Sequence, residues 1–76
     1  MQDITLNYLY GFASGAGLVS ENFDQLVKAF QEKFGEQNVR GDKANLIIYL
    51  AYAGATYKVT YRYEKGRFSV VEVSRV

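Results

Sequence analysis

The chain has no cysteine, no histidine and no proline among its 76 residues. Without cysteine there is neither a disulfide staple nor a thiol nucleophile, and without histidine there is no imidazole base and little zinc chemistry. A metal could meet only carboxylates and carbonyls, so neither a metal nor a cofactor is expected. Also missing is an apolar run near the roughly 20 residues that a membrane helix requires, and MQDITLNY lacks the basic-then-apolar order of a signal peptide. These absences lead us to expect a soluble, cytoplasmic chain with no membrane partner. No repeat, charge run or linker interrupts the chain, and its length suits one compact domain over residues 1–76.

Apolar and aromatic residues are plentiful: 49% of the chain is hydrophobic, with 7 tyrosines and 5 phenylalanines, against 22% charged. That composition belongs to a folding chain rather than a disordered one. The formal net charge of +1 conceals two unlike halves. Residues 1–37 carry five acids and two bases, a balance of −3, whereas residues 38–76 carry seven bases and three acids, a balance of +4. Such a division bears on partners more than on fold.

In residues 3–10, DITLNYLY, Ile4, Leu6, Tyr8 and Tyr10 alternate with Thr5 and Asn7, which predicts a strand. From Ser20 the period changes. Phe23, Leu26, Val27, Phe30 and Phe34 share one helical face, Ser20 or Asn22 can cap it, and Gly35 can close it, giving a helix over 21–35. A polar connection, EQNVRGDKAN, leads to NLIIYLAYA, TYKVTYRYE and RFSVVEVSRV, separated by GA and KG: three strands and two tight turns. Turning on Gly54 and Ala55 pairs Tyr52 with Tyr57, Leu50 with Val59 and Ile48 with Tyr61. The second turn pairs Glu64 with Arg67, Tyr63 with Phe68 and Tyr61 with Val70. The expected fold is therefore α+β, one helix on a mostly antiparallel four-stranded sheet in the order β-α-β-β-β.

Between the expected first strand and helix lies GFASGAGLVS, with three of the seven glycines and no charge. Gly15, Gly17 and Ser20 approach the start of a dinucleotide-binding fingerprint, in which backbone amides and a helix N-terminus hold phosphate. The downstream pattern is a hairpin meander rather than a second parallel strand, and no Lys-Ser or Lys-Thr follows, so the stretch reads better as a surface connection, with Gly15, Gly17 and Ser20 as a loop contact. Ser14 and Ser20 have no histidine to activate them, and no pair of carboxylates is placed by spacing in a pocket. No catalytic residues are expected.

In that register Leu46, Ile48, Leu50, Tyr52, Tyr57, Val59, Tyr61, Tyr63, Phe68 and Val70 face the helix, with Glu72 on the same side. The opposite, open face carries Ile47, Tyr49, Val71 and Val73 near Lys58 and Arg62. An apolar centre with a basic rim resembles an interface. Ile47, Tyr49, Lys58, Arg62, Val71 and Val73 are therefore the expected contact residues for a protein partner or a second copy. Single-stranded nucleic acid is the alternative, because Tyr49 stands between Lys58 and Arg62 on an open sheet.

Strand, helix and three-strand meander, with AYAGATY at the first hairpin, resemble the cystatins, whose inhibitory hairpin reads Q-x-V-x-G followed shortly by an aromatic. Ala53, Gly54 and Tyr57 occupy matching places; the glutamine and the first valine are absent, and EKGR at the second hairpin has no tryptophan. The resemblance is one of architecture. It implies a frame that can block a partner with its loops, a small inhibitor or immunity-type antagonist in the size range of compact phage and bacterial proteins, without implying protease inhibition itself.

Overall fold

The computed structural model describes residues 4–76. Helix α1 spans Ile4–Val19 and helix α2 spans Phe23–Phe34; a turn of 3-10 helix, Glu36–Asn38, leads into strands β1 (Val39–Asp42), β2 (Ile47–Tyr52), β3 (Ala55–Glu64) and β4 (Arg67–Arg75). The strands form one antiparallel sheet in chain order, β1-β2-β3-β4. The class is α+β with four antiparallel strands, as expected. It carries two helices rather than one, and its remaining strand is β1, drawn from the stretch expected as a connection.

The strand expected at 3–10 is a correction; Asp3 lies outside the described residues, and Ile4 onward is helical. Leu9 breaks the alternation, and a second period runs through the same segment: Leu9, Ala13, Ala16, Gly17 and Ser20 are buried on one helical side, with Leu6 and Phe12 partly buried beside them. Two features disguise it. No charged residue marks the opposite side, and each interior glycine weakens a helix by roughly 0.5–1 kcal/mol relative to alanine. Tertiary packing offsets that weakness, because the small residues bring α1 close to β4. A Cβ on Gly17 would lie 2.5 Å from the Phe68 carbonyl oxygen, and the Tyr61 hydroxyl donates a buried 2.6 Å hydrogen bond to the Ala13 carbonyl. GFASGAGLVS is thus the second half of a packed helix and not a loop.

Helix α2 follows the expected stripe. The Asn22 side chain accepts from the Gln25 amide at 2.9 Å, the Gln25 side chain accepts from the Glu21 amide at 2.9 Å, and Gly35, at φ 100°, closes the other end. Phe23, Leu26 and Phe30 are buried. Edge-to-face contacts of Phe12 with Phe30 (5.1 Å) and with Phe34 (5.3 Å) join the helices.

The first hairpin turns on Ala53 (φ 52°) and Gly54 (φ 79°) rather than on Gly54 and Ala55, so Tyr52 pairs with Ala55, Leu50 with Tyr57 and Ile48 with Val59. The expected pairing is two residues out. Glycine second, after a residue that also has positive φ, is the arrangement whose twist suits a two-residue hairpin, and Lys65 (φ 53°) and Gly66 (φ 79°) repeat it. The second hairpin pairs Glu64 with Arg67, Tyr63 with Phe68 and Tyr61 with Val70 as expected. The register then shifts, because Thr60 pairs with Glu72 and Val59 with Val73, leaving Val71 as the extra residue of a β-bulge.

Both helices cover one face of the sheet. The core joins Leu9, Ala13, Leu26 and Phe30 to Val39, Ile48, Leu50, Tyr57, Val59, Tyr61 and Phe68. Tyr63, expected within it, is half exposed at the end of β3. α1 lies along β4 and α2 over β1, which leaves the other face of the sheet uncovered.

Candidate binding surfaces

The open face is laid out in cross-strand rows. Arg40, Tyr49, Lys58 and Ser74 form one row, and Asp42, Ile47, Thr60 and Glu72 the next; beyond the bulge, Arg62 pairs with Ser69. Ile47, Tyr49 and Lys58 sit on this face half-buried, and Arg62 is exposed there with its guanidinium 3.3 Å from the Glu64 carboxylate. Four of the six expected contact residues therefore share it. Val73 does not: the bulge turns it toward the core opposite Val59, where it packs against buried residues. Val71, at the bulge, is 56% exposed. Glu72, expected on the core side, instead takes an exposed place on the open face.

The open face is consequently less apolar and more mixed in charge than the expected pattern, with Asp42 and Glu72 flanking Ile47 and Thr60. Arg40, on the strand not foreseen, stands beside Tyr49 across from Lys58. A shallow hollow of about 460 Å³ adjoins this row, lined among others by Gln37, Asn38, Arg40, Tyr49 and Thr56. At the β1–β2 turn, hydrogen bonds from the Asn45 side chain and backbone hold the Asp42 carboxyl below its usual range.

The expected loop contact is also corrected. Gly15 is exposed on the outer side of α1, while Gly17 and Ser20 are buried. Backbone amides inside a continuous helix are spent on carbonyls one turn back and cannot cradle phosphate. The Ser20 hydroxyl donates to the Ala16 carbonyl at 2.7 Å. Among the described residues no three acidic side chains gather to hold a metal ion.

The larger apolar exposure is on α1. No charged residue lies between Ile4 and Ser20, and the outward side of the helix shows Ile4 (80% exposed), Leu18 (60%) and Val19 (78%), with Tyr8 and Tyr10 on its flanks also open. Beside it, Tyr10, Ser14 and Leu18 face Phe68, Ser69 and Val70 across a groove of about 200 Å³ along β4. The signal in the sequence is the uncharged run itself, since a helix meant to face water on one side carries charge there. No helix among the described residues is long and apolar enough to cross a membrane.

Compared with protein-family models, curated proteins and solved structures, the chain gives no match. The likeness to cystatins rested on a strand preceding the helix, and residues 4–19 are helical.

Proposed function

We propose that this chain is a small non-catalytic binding module that acts by contacting another protein, as an inhibitor or immunity-type antagonist does, through the outward side of α1 and the neighbouring edge of β4. One observation carries the reading: a helix of 16 residues without a charge exposes Ile4, Leu18 and Val19. Exposed apolar area concentrated on one element marks an interaction surface, and covering each such side chain is worth roughly 1.5–3 kcal/mol. The reading without catalysis draws on the inventory, which has no histidine or cysteine and whose Ser20 hydroxyl is engaged. The test is photo-crosslinking from a benzoyl-phenylalanine placed at Val19 in the producing cell. A discrete protein adduct that Leu18→Glu abolishes and Tyr49→Ala leaves intact is expected; an adduct indifferent to Leu18→Glu, or none, refutes the reading.

A second reading, single-stranded nucleic acid on the open sheet, is favoured by the row Arg40–Tyr49–Lys58, an aromatic ring between two cations. It requires a labelled oligonucleotide to bind with affinity falling steeply as salt rises, and Tyr49→Ala to weaken it. Salt-insensitive or absent binding removes it.

A further inference from the structure

The hollow beside the Arg40 row has a chemistry of its own. Ala51, the smallest side chain on the open side of β2, is exposed and pairs with Thr56, so the sheet surface is low at this point. Around it stand Tyr49, half-buried, with Gln37, Asn38, Thr56 and Arg40. An aromatic ring is thus joined by two carboxamides, a hydroxyl and a guanidinium. The Asn38 side-chain nitrogen donates to the Phe34 carbonyl at 2.7 Å, which fixes that carboxamide and leaves its oxygen as an acceptor. At about 460 Å³ the hollow falls within the roughly 300–1,000 Å³ of small-molecule sites. A second hollow of about 420 Å³ shares Asn38, Ala51 and Thr56 and continues to the Ala53–Gly54 turn, so the depression runs on past a single ligand unit.

Charge at this end of the face favours an anion. Arg40 and Lys58 flank Tyr49 in one row, with their backbones two strand spacings, about 10 Å, apart, a span that two long side chains bridge around one anion. Among the described residues the ion pairs are Lys43 with Asp24 and Arg62 with Glu64, so neither Arg40 nor Lys58 is neutralised by one. The acidic side chains of the face lie on the other side of Tyr49: Asp42 and Glu72 in the next row, and Glu64 at the far end opposite Arg67. Glu36, exposed one residue before Gln37, does not line the hollow. A stacking surface, hydrogen-bonding groups beside it and cations around it together match a base with its phosphate; an apolar ligand or a bare anion leaves part of the set unused.

Resting on the second reading above, we infer that the hollow over Ala51 is a nucleotide site, in which a base stacks on Tyr49 with its edge toward Gln37, Asn38 and Thr56 and its phosphate between Arg40 and Lys58.

The test is titration of the ¹⁵N-labelled full chain with a nucleoside monophosphate, the matching nucleoside and inorganic phosphate, beside fluorescence anisotropy of a labelled single-stranded dodecanucleotide. The monophosphate should shift the amides of Arg40, Tyr49, Ala51 and Thr56 and leave those of α1 in place. The nucleoside and inorganic phosphate should each bind at least about tenfold more weakly, since each lacks one half of the contacts. Ala51→Leu, which fills the hollow at an exposed position, and Tyr49→Ala, which removes the stacking ring, should each weaken the monophosphate and the dodecanucleotide at least about fivefold. Arg67→Ala, at the far end of the face, should weaken them by no more than about twofold. Tighter binding of the dodecanucleotide than of the monophosphate identifies the ligand as a unit of a strand; no gain from the longer chain identifies a free nucleotide. Inorganic phosphate binding the same amides as tightly, indifference to Ala51→Leu, or shifts centred on Thr60 and Arg62 overturn the inference. Should dodecanucleotide binding survive Ala51→Leu yet fall with Tyr49→Ala and with salt, the hollow is not the site and the open-sheet reading stands. Absence of all binding removes both, and leaves the protein contact through α1 to its own test.

Discussion

Gly15→Ala and Gly17→Ala make the same chemical change two residues apart in α1, and their effects are expected to have opposite signs. In a helix interior alanine is favoured over glycine by about 0.8–1 kcal/mol. Nothing lies within 4 Å of a Cβ built on Gly15, so that gain stands and the protein should be stabilised. On Gly17 the Cβ would lie 2.5 Å from the Phe68 carbonyl oxygen and 3.1 Å from a Tyr61 ring carbon. A backbone oxygen of a paired strand cannot swing aside as the end of a long side chain can. Restoring a carbon-to-oxygen distance of about 3.3 Å requires α1 to lift by roughly 0.8 Å. Overpacking of this kind costs about 1–3 kcal/mol. The lift also stretches the 2.6 Å bond from Tyr61 to Ala13, and a buried hydroxyl left unpaired costs about 1–3 kcal/mol more. After the propensity gain is subtracted, Gly17→Ala should destabilise by about 3 kcal/mol, which puts the two variants about 4 kcal/mol apart. Urea unfolding followed by circular dichroism measures the gap, provided the slopes agree. Equal stabilisation by both substitutions would show that α1 is not seated on β4 through Gly17.

Tyr61→Phe should cost about 1 kcal/mol, the worth of one buried hydrogen bond, measured by the same unfolding experiment. Burial also raises the Tyr61 phenol above its ordinary pKa of 10.0. Because the folded chain then holds that proton to higher pH than the unfolded chain, the contribution is whole below about pH 10 and is lost as pH rises beyond it. The gap between wild type and Tyr61→Phe should accordingly narrow above pH 10, and a gap independent of pH would contradict a buried hydroxyl. At the bulge, Val73→Asp should destabilise by about 2–4 kcal/mol because it drives a carboxylate toward the core, while Val71→Asp should change stability by no more than about 0.5 kcal/mol. Thermal melts of the two variants check this, and the reverse order would mean that β4 has no bulge at Val71.

What the sequence disclosed and concealed follows from how large a signal each element leaves. α2 is legible because its phenylalanine stripe faces charged residues, so the contrast around the helix is strong. α1 has the same periodicity carried by Ala13, Ala16 and Gly17, and an outer side that is itself apolar; with no contrast, the accidental alternation of Ile4, Leu6, Tyr8 and Tyr10 dominates. β1 is four residues long, with only Val39 buried, too short to show a period. The first hairpin is informative in another way. An error of two residues changes every partner and no face, because side chains repeat every second residue, so Ile47, Tyr49, Lys58 and Arg62 still fall on the open side.

A one-residue irregularity has the opposite effect, and the bulge at Val71 shows why the chain takes it. Regular pairing carried past Val70 would point Glu72 beneath the helices and Val73 into water, burying a carboxylate for which no basic partner stands among the core residues. The extra residue exchanges them: Val73 joins Val59 and Glu72 joins Thr60. The same exchange relocates the binding surface. By withdrawing Val73 from the open face and adding Glu72 to it, the bulge breaks up the apolar patch that the sheet would have shown, and the extended apolar exposure left to the molecule is that of α1. Interruption of β4 by a bulge with exposed charges around it also discourages indiscriminate edge pairing. Phe68, Ser69 and Val70 precede the bulge, beside Leu18 and Ser14, and Gly17 of α1 lies against the Phe68 carbonyl, so the regular part of this edge is the part that the helix covers.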